Sequence, residues 1–503
     1  MLPTRFRLTP LLKDVIQFYG VVVMAILFVY FAPSFLNKMF FLGLLAWFWK
    51  SDKNYFFFAL TFVLMQQPGG LFQGSLASDV HRVPLYNLVS GISFDFFDLF
   101  FIISLAKAWL KGQHRRIILK RPLILLAIYL AFLFMLSMVD NMSFGSMSFY
   151  LRNFSTYALF ISFPFLMTDT KDLHRFMYLV FPTVFIIILG QLYFLLTSRL
   201  LESLFLGYSR TARAWVYREA GSNVLRPVAG LSGSVLLVFF SYIFSLLLSL
   251  WETVKIRQYY LFTVSTVSFL IIFLSATRSW TVVFVILMGV YIFKISQNKA
   301  RILKKISAFM IIFLALYLFV PRVNHAVQNA LNRMATLEDL ASGDVTAAGT
   351  LTRITKRLPR VLKGYRQSPI IGLGFTEKFR FYNDYHVGNF NMLMQVGIVG
   401  FFFFLNFWAS FFRFLWRNRK LLSVRNRYRQ QLLVIITAFL LMLLLHFTSY
   451  QFFGFILHRF IVYFFIVFFS IAELMVRESR NEELEVRRVL LNIKDRHMQP
   501  GLA

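Results

Sequence analysis

The sequence predicts an all-α polytopic membrane protein of about fourteen transmembrane helices, with a large helical outer loop near the C-terminus. Three observations predict it. Apolar residues make up 58% of 503 positions, 64 of them Phe, whereas a soluble domain sits near about 45–50%. Mean hydropathy is +0.66. The apolar residues gather into runs near spanning length, and the connectors between several of them are strongly basic.

The first run, VIQFYGVVVMAILFVYFA at 15–32, is too long for the core of a cleavable signal and lacks a small-residue cleavage site, so it is expected to stay as the first helix. Helices are then expected at 34–49 and 54–66, a Gly-containing outer loop at 67–90, and a helix at 91–110. The connector KGQHRRIILKR at 111–121 leads to 122–138, 150–167 and 176–196. After a loop at 197–229 come 230–250, 260–275 and 279–294, the connector KISQNKARILKK at 294–305, and 306–320. The loop at 322–388 precedes 389–412, and the connector RFLWRNRKLLSVRNRYRQ at 413–430 precedes 431–448 and 455–475. These connectors and both basic termini place themselves on the cytoplasmic side, which requires an even number of spans. From 476 onward the chain reads as a short amphipathic cytoplasmic helix.

The net charge of +31 points, in a membrane protein, to a phospholipid surface or a polyanionic substrate rather than to nucleic acid. The absence of cysteine excludes thiolate chemistry, disulfides and Cys-ligated metal sites. Both large outer loops are basic: 197–229 carries Arg210, Arg213, Arg218 and Arg226, and 322–388 carries Arg353, Lys356, Arg357, Arg360, Lys363 and Arg366. The orientation rule does not require this, although long loops translocate with little regard to charge.

Arg278, in LSATRSW, sits between two apolar helices with almost no loop, at the outer membrane boundary, where an ionisable group is costly; snorkelling at a helix end is the bland alternative. Arg226, in NVLRPVAGLSG, precedes the eighth expected helix, with Pro227 setting a turn and Gly230 and Gly233 permitting close approach. Two guanidinium forks at one depth suit a diphosphate. Arg353 and Arg357 extend that positive surface along the loop. His386 closes the basic loop; neighbouring arginines would keep its imidazole neutral, as a general base must be, while a solvated histidine is the plainer reading. Asp95 and Asp98, in SFDFFDLF, share one helical face and are expected to pair with buried arginines rather than to bind a metal or carry protons. His446, His458 and Arg459 lie near the outer face with no role assigned.

Taken in order, R-P-x-x-G-L-x-G at Arg226 to Gly233, S-x-T-R-S at Ser275 to Ser279, Arg353 followed at sixteen by Pro369 of SPIIGLGF (368–375), and His386 followed at eleven by GIVG (397–400) resemble the O-antigen ligase/polymerase family of bacterial envelope glycosyltransferases. The resemblance covers about 222–412, with the periplasmic loop 322–388 inside it, between N-terminal helices (1–221) and C-terminal helices (413–475) followed by the tail (476–503). Two departures stand out: Val387 follows the histidine, with Asn389 displaced from the family's Asn position, and Thr352 stands where the family has Gly. The resemblance implies an inner-membrane enzyme with cytoplasmic termini. It would transfer glycan from an undecaprenyl-diphosphate-linked oligosaccharide to a glycan or lipid acceptor, with neither cofactor nor metal. It implies Arg226, Arg278 and Arg357 on the diphosphate, Arg353 on the charge that develops there, and His386 as base; Asp95 and Asp98, outside the resemblance, are expected to support the site through their arginine partners. The helix count leans toward a repeat-unit polymerase; a ligase to lipid A core, an exopolysaccharide or teichuronic-acid polymerase, and a protein O-oligosaccharyltransferase share the pattern.

A lipid-linked-sugar transporter or flippase would also bury arginines, but in a midplane cavity between repeat halves, and no repeat is visible. A non-catalytic assembly partner would need none of these groups aligned. The enzyme reading requires Arg226, Arg278, Arg353 and His386 to converge.

Overall fold

In the computed structural model, the residues described are 10–65, 83–89, 92–111, 119–140, 142, 144–197, 216–218, 225–227, 235–249, 254–275, 278–295, 299–319, 321, 323–325, 327–328, 330–332, 353–384, 387–423 and 459–497. Three helices open the chain: α1 (Pro10–Phe31), α2 (Ser34–Lys50) and α3 (Asn54–Met65). A hairpin of β1 (Leu85–Val89) and β2 (Ile92–Asp95) leads into α4 (Phe96–Leu110) and α5 (Lys120–Val139). Next come α6 (Phe144–Ser155), a 3-10 turn at Thr156–Ala158, α7 (Leu159–Leu166), α8 (Thr170–Val180) and α9 (Thr183–Thr197). A second hairpin, β3 (Val216–Arg218) with β4 (Leu225–Pro227), precedes α10 (Val235–Ser249), α11 (Lys255–Leu274), α12 (Arg278–Val290) and α13 (Lys299–Phe319).

The later part holds a wide helical turn at Arg353–Arg357, α14 (Leu358–Tyr365), α15 (Glu377–Tyr382), α16 (Asn389–Arg417), α17 (Arg419–Ser423) and α18 (Arg459–His497). Among the described residues, five helices are long and apolar enough to cross a membrane: Leu11–Phe31, Lys120–Val139, Thr170–Tyr193, Lys255–Leu274 and Asn389–Arg417. Shorter apolar helices occupy Asn54–Met65, Val235–Ser249 and Trp280–Phe293. The chain is thus a helical membrane protein.

Burial sorts these helices into an inner and an outer set. On α3 every residue from Asn54 to Leu64 is buried, and on α10 every residue from Leu236 to Leu248. A helix apolar all round belongs at the centre of a bundle. On α18, 462–476 completes this centre: the Tyr463 hydroxyl donates to the Phe58 carbonyl at 2.7 Å and lies 3.2 Å from Thr61 Oγ1. Phe58 packs edge-on against Phe100 and Phe163. By contrast α5 leaves Ile124, Ile128, Phe132 and Met135 exposed, the face such a helix turns to lipid.

Lys107, near the end of α4, is buried. Its ammonium donates to the carbonyls of Phe48 and Ser51, both at 2.6 Å, and to Asn54 Oδ1 at 2.8 Å. All three of its protons are used, and the charge sits at the C-terminal end of α2, where a helix favours a cation. We expect Lys107→Met to destabilise the fold by about 1–3 kcal/mol, the cost of stranding buried acceptors. A thermal melt of the detergent-solubilised protein checks this. One turn on, Lys111 bonds Asp52 at 2.8 Å, and that hydrogen bond and charge hold the Asp52 carboxyl below the usual carboxylate range.

Several boundaries differ from those expected. The helix expected from 91 begins at Phe96, because Ile92–Asp95 pairs with β1. Asp95 then starts α4 by a reciprocal cap: its carboxylate accepts from the Asp98 amide at 3.0 Å, and that of Asp98 accepts from the Asp95 amide at 2.8 Å. The segment 150–167 is interrupted at Thr156–Ala158. From Arg459 onward the last expected span continues without interruption into the tail expected from 476, as α18, while 455–458 lie outside the described residues. The segment expected at 431–448 lies outside the described residues.

Candidate functional site

The two glycine-bearing motifs of the C-terminal half meet. Residues 369–374 run against α16 where that helix breaks at Gly397, whose φ is 64° and ψ −175°, a region open essentially to glycine alone. Four backbone hydrogen bonds join them: Leu373 N to Met394 O at 2.9 Å, Gly374 N to Gln395 O at 2.8 Å, Ile398 N to Pro369 O at 3.0 Å and Val399 N to Ile370 O at 3.1 Å. The loop thus supplies partners for backbone groups that the broken helix cannot satisfy. Gly372, at φ 89°, lies backbone to backbone with Gly397, so that a Cβ on either would collide with the other's peptide.

Helix α5 secures this junction. The Tyr129 hydroxyl lies 2.8 Å from both the Ile371 and the Val396 carbonyls and shares its proton between them. Ser137 Oγ accepts from the Phe375 amide at 2.8 Å and donates to Leu133 O at 2.7 Å. A Cβ at Gly374 would strike Ser137, and one at Gly400 would strike Tyr129. The glycines of SPIIGLGF and GIVG are therefore accounted for by close approach of three segments.

Above this junction, Arg357 reaches Asp384 at 3.5 Å, two residues before His386 in the chain. Asn391, fully buried on the first turn of α16, accepts from the Asp384 amide at 3.2 Å and donates to Asn383 Oδ1 at 2.5 Å. Val387 N donates to Asp384 O at 3.1 Å, and Gly388, at φ 61°, turns the chain into α16. The arginine-bearing turn Arg353–Arg357 and the residues flanking His386 are thereby held together. Arg357 remains about one-third exposed, at 34%.

Asp95 and Asp98 are placed with arginines, as their burial demands. Arg152 Nη2 lies 2.6 Å from Asp95 Oδ2, and Arg152 Nε 3.2 Å from Asp98 Oδ2. Arg459, the first residue of α18, reaches Asp95 Oδ2 at 2.7 Å and Asp98 Oδ1 at 3.0 Å. Ser155 Oγ adds a bond to Asp98 at 2.7 Å. Two carboxylates and two guanidinium groups make this cluster neutral, and it ties the starts of α4 and α18 to the end of α6. Among the described residues no group of three or more His, Asp or Glu is arranged to hold a metal.

Of the other candidates, Arg226 is in β4, opposite Tyr217 of β3. A hairpin strand therefore replaces the turn expected there. Arg278 opens α12 and Arg353 opens the wide turn at Arg353–Arg357. The side chains of these three, and the whole of His386, His446 and His458, lie outside the described residues. Sequence reasoning missed Tyr129, Ser137, Arg152 and Asn391. Arg152 did carry a signal, since an arginine inside an expected apolar span calls for a partner; the hydroxyls carried none. Comparison with known proteins finds no family model and no curated protein that matches this chain.

Proposed function

We propose that this chain is a membrane glycosyltransferase of the bacterial inner membrane, crossing about fourteen times with both termini cytoplasmic. It transfers glycan from undecaprenyl diphosphate to an acceptor hydroxyl on the periplasmic face, acting as a polysaccharide repeat-unit polymerase. The observation that carries the reading is the Arg357–Asp384 contact. It gathers the basic segment that begins at Arg353 against the residues bracketing His386, the arrangement that a phosphate-holding, base-assisted transfer needs. The order of motifs shared with the O-antigen ligase/polymerase family supports it independently.

The acceptor oxygen bonds to the anomeric carbon as the bond from that carbon to the diphosphate oxygen breaks. His386 takes the acceptor's proton, and undecaprenyl diphosphate leaves with the bonding pair. Arg226, Arg278 and Arg357 hold the diphosphate, Arg353 meets the charge as it grows, and in-line attack inverts the anomeric centre. Donors fixed in advance at such a point contribute about 2.7–4 kcal/mol each, and a general base about 10²–10⁴-fold.

The test is reconstitution in vesicles with purified lipid-linked oligosaccharide, reading glycan length and release of undecaprenyl diphosphate. Arg278→Ala is expected to lower transfer by about 10²–10³-fold with abundance unchanged, and His386→Ala by about 10²–10⁴-fold. Undiminished elongation in either variant removes that residue from the mechanism, and no elongation by the unaltered protein overturns the reading.

A further inference from the structure

Residues 369–374 are bonded into the Gly397 junction through the Pro369 and Ile370 carbonyls and the Leu373 and Gly374 amides, and Leu373 is buried there, yet the side chains of Ile370 and Ile371 are not. Ile370 is 63% and Ile371 38% exposed, and beside them on α16 Ile398 and Phe402 are 53% and 66% exposed. Large apolar side chains at the tip of an irregular segment have no reason to face water, and here they continue the outward apolar face of a helix long enough to span a membrane.

The depth of the tip can be read from α5, another helix of spanning length and composition. Phe375 is bonded at Ser137, and Ile371 at Tyr129. Those two positions are eight residues apart, about 12 Å along a helix axis. Tyr129 itself lies ten residues from Val139, about 15 Å from that end of α5, and the hydrocarbon core of a bilayer is about 30 Å thick. The chain therefore descends along α5 from near its end toward its middle, and the Ile370–Ile371 tip arrives there within one side-chain length of Tyr129.

Irregular backbone is tolerated at such depth only where protein satisfies its polar groups. The Ile371 carbonyl, the Leu373 and Gly374 amides and the Pro369 and Ile370 carbonyls all have protein partners. On α14, just before the descent, Arg360 and Lys363 are exposed, as is Arg366 after it, a composition suited to headgroup level.

We propose that residues 368–375 form a re-entrant segment that dips into the bilayer and sets Ile370 and Ile371 against lipid acyl chains. The partner is bilayer hydrocarbon, argued from continuity with the apolar faces of α5 and α16. This goes beyond glycosyl transfer and stands without it.

The chain has no cysteine, so single-cysteine variants can be spin-labelled without background. Ile370→Cys, Ile371→Cys, Ile398→Cys as a reference on α16, and Lys363→Cys as a headgroup-level reference are reconstituted as the full chain in phosphatidylethanolamine–phosphatidylglycerol vesicles. Collision rates with oxygen, which partitions into lipid, and with a water-soluble nickel chelate are then compared. At 370 and 371 the oxygen-to-nickel ratio is expected to match that at 398 and to exceed that at 363 several-fold. A ratio at both positions no higher than at 363 overturns the proposal, as does shielding from both reagents, which would mean that protein covers the tip. Should labelling at 370 disturb folding, 371 decides alone.

Discussion

Arg459→Met is expected to cost about 3–5 kcal/mol of stability, the penalty for removing one partner from a buried ion cluster. The reason lies in what stays behind. Asp98 is wholly buried and Asp95 nearly so, and with Arg459 gone two carboxylates share, among the described residues, Arg152 alone. Methionine matches the arginine stem in reach and apolar character, so the variant isolates the charge. The check is the thermal midpoint in detergent: a large drop for Arg459→Met, with part of it restored by adding Asp95→Asn, since the pair of changes leaves one carboxylate for one guanidinium. A variant that melts with the parent protein, or a double variant no better than the single, would show the cluster to be energetically idle.

Gly397→Val is expected to be of similar size. The φ and ψ at this position exclude a side chain at about 1–3 kcal/mol, and the clash with the 370–372 backbone adds the roughly 1–3 kcal/mol of an overpacked contact. Both contributions act together because the loop cannot withdraw without breaking four hydrogen bonds. Gly20→Ala, at a position with nothing near its missing Cβ, is the control. Limited proteolysis reads the outcome: cleavage after Arg366 should accelerate in Gly397→Val and stay slow in Gly20→Ala. Equal cleavage in both would discount the junction.

The apolar runs made most helices legible, because side chains that must leave water announce themselves wherever the chain is read. What was not legible was pairing over long separations. The glycines of SPIIGLGF and GIVG read as motifs, but nothing local says that Gly372 lies on Gly397, or that a tyrosine on α5 spans both. Asp95 and Asp98 read as needing arginines, yet Arg152 and Arg459 are 57 and 364 residues from Asp95. The first hairpin was hidden because Ile92–Asp95 directly adjoins the apolar run of α4 and was absorbed into it. For the proposed site, residue types could be read from the sequence, whereas the Asn391 and Asp384 anchors beside His386 could not.

Helix α18 has 39 residues without interruption, about 58 Å at 1.5 Å per residue, more than a bilayer with its headgroups at about 40–45 Å. It opens at Arg459 on the aspartates, and lower down Arg477 donates to the Thr168 carbonyl and Arg480 to Asn418 Oδ1 at 3.3 Å. Sliding it by a single residue would turn every side chain by about 100° and unseat both sets of contacts at once. It is keyed like an axle, its registration fixed at two levels, at Arg459 and again at Arg477 and Arg480.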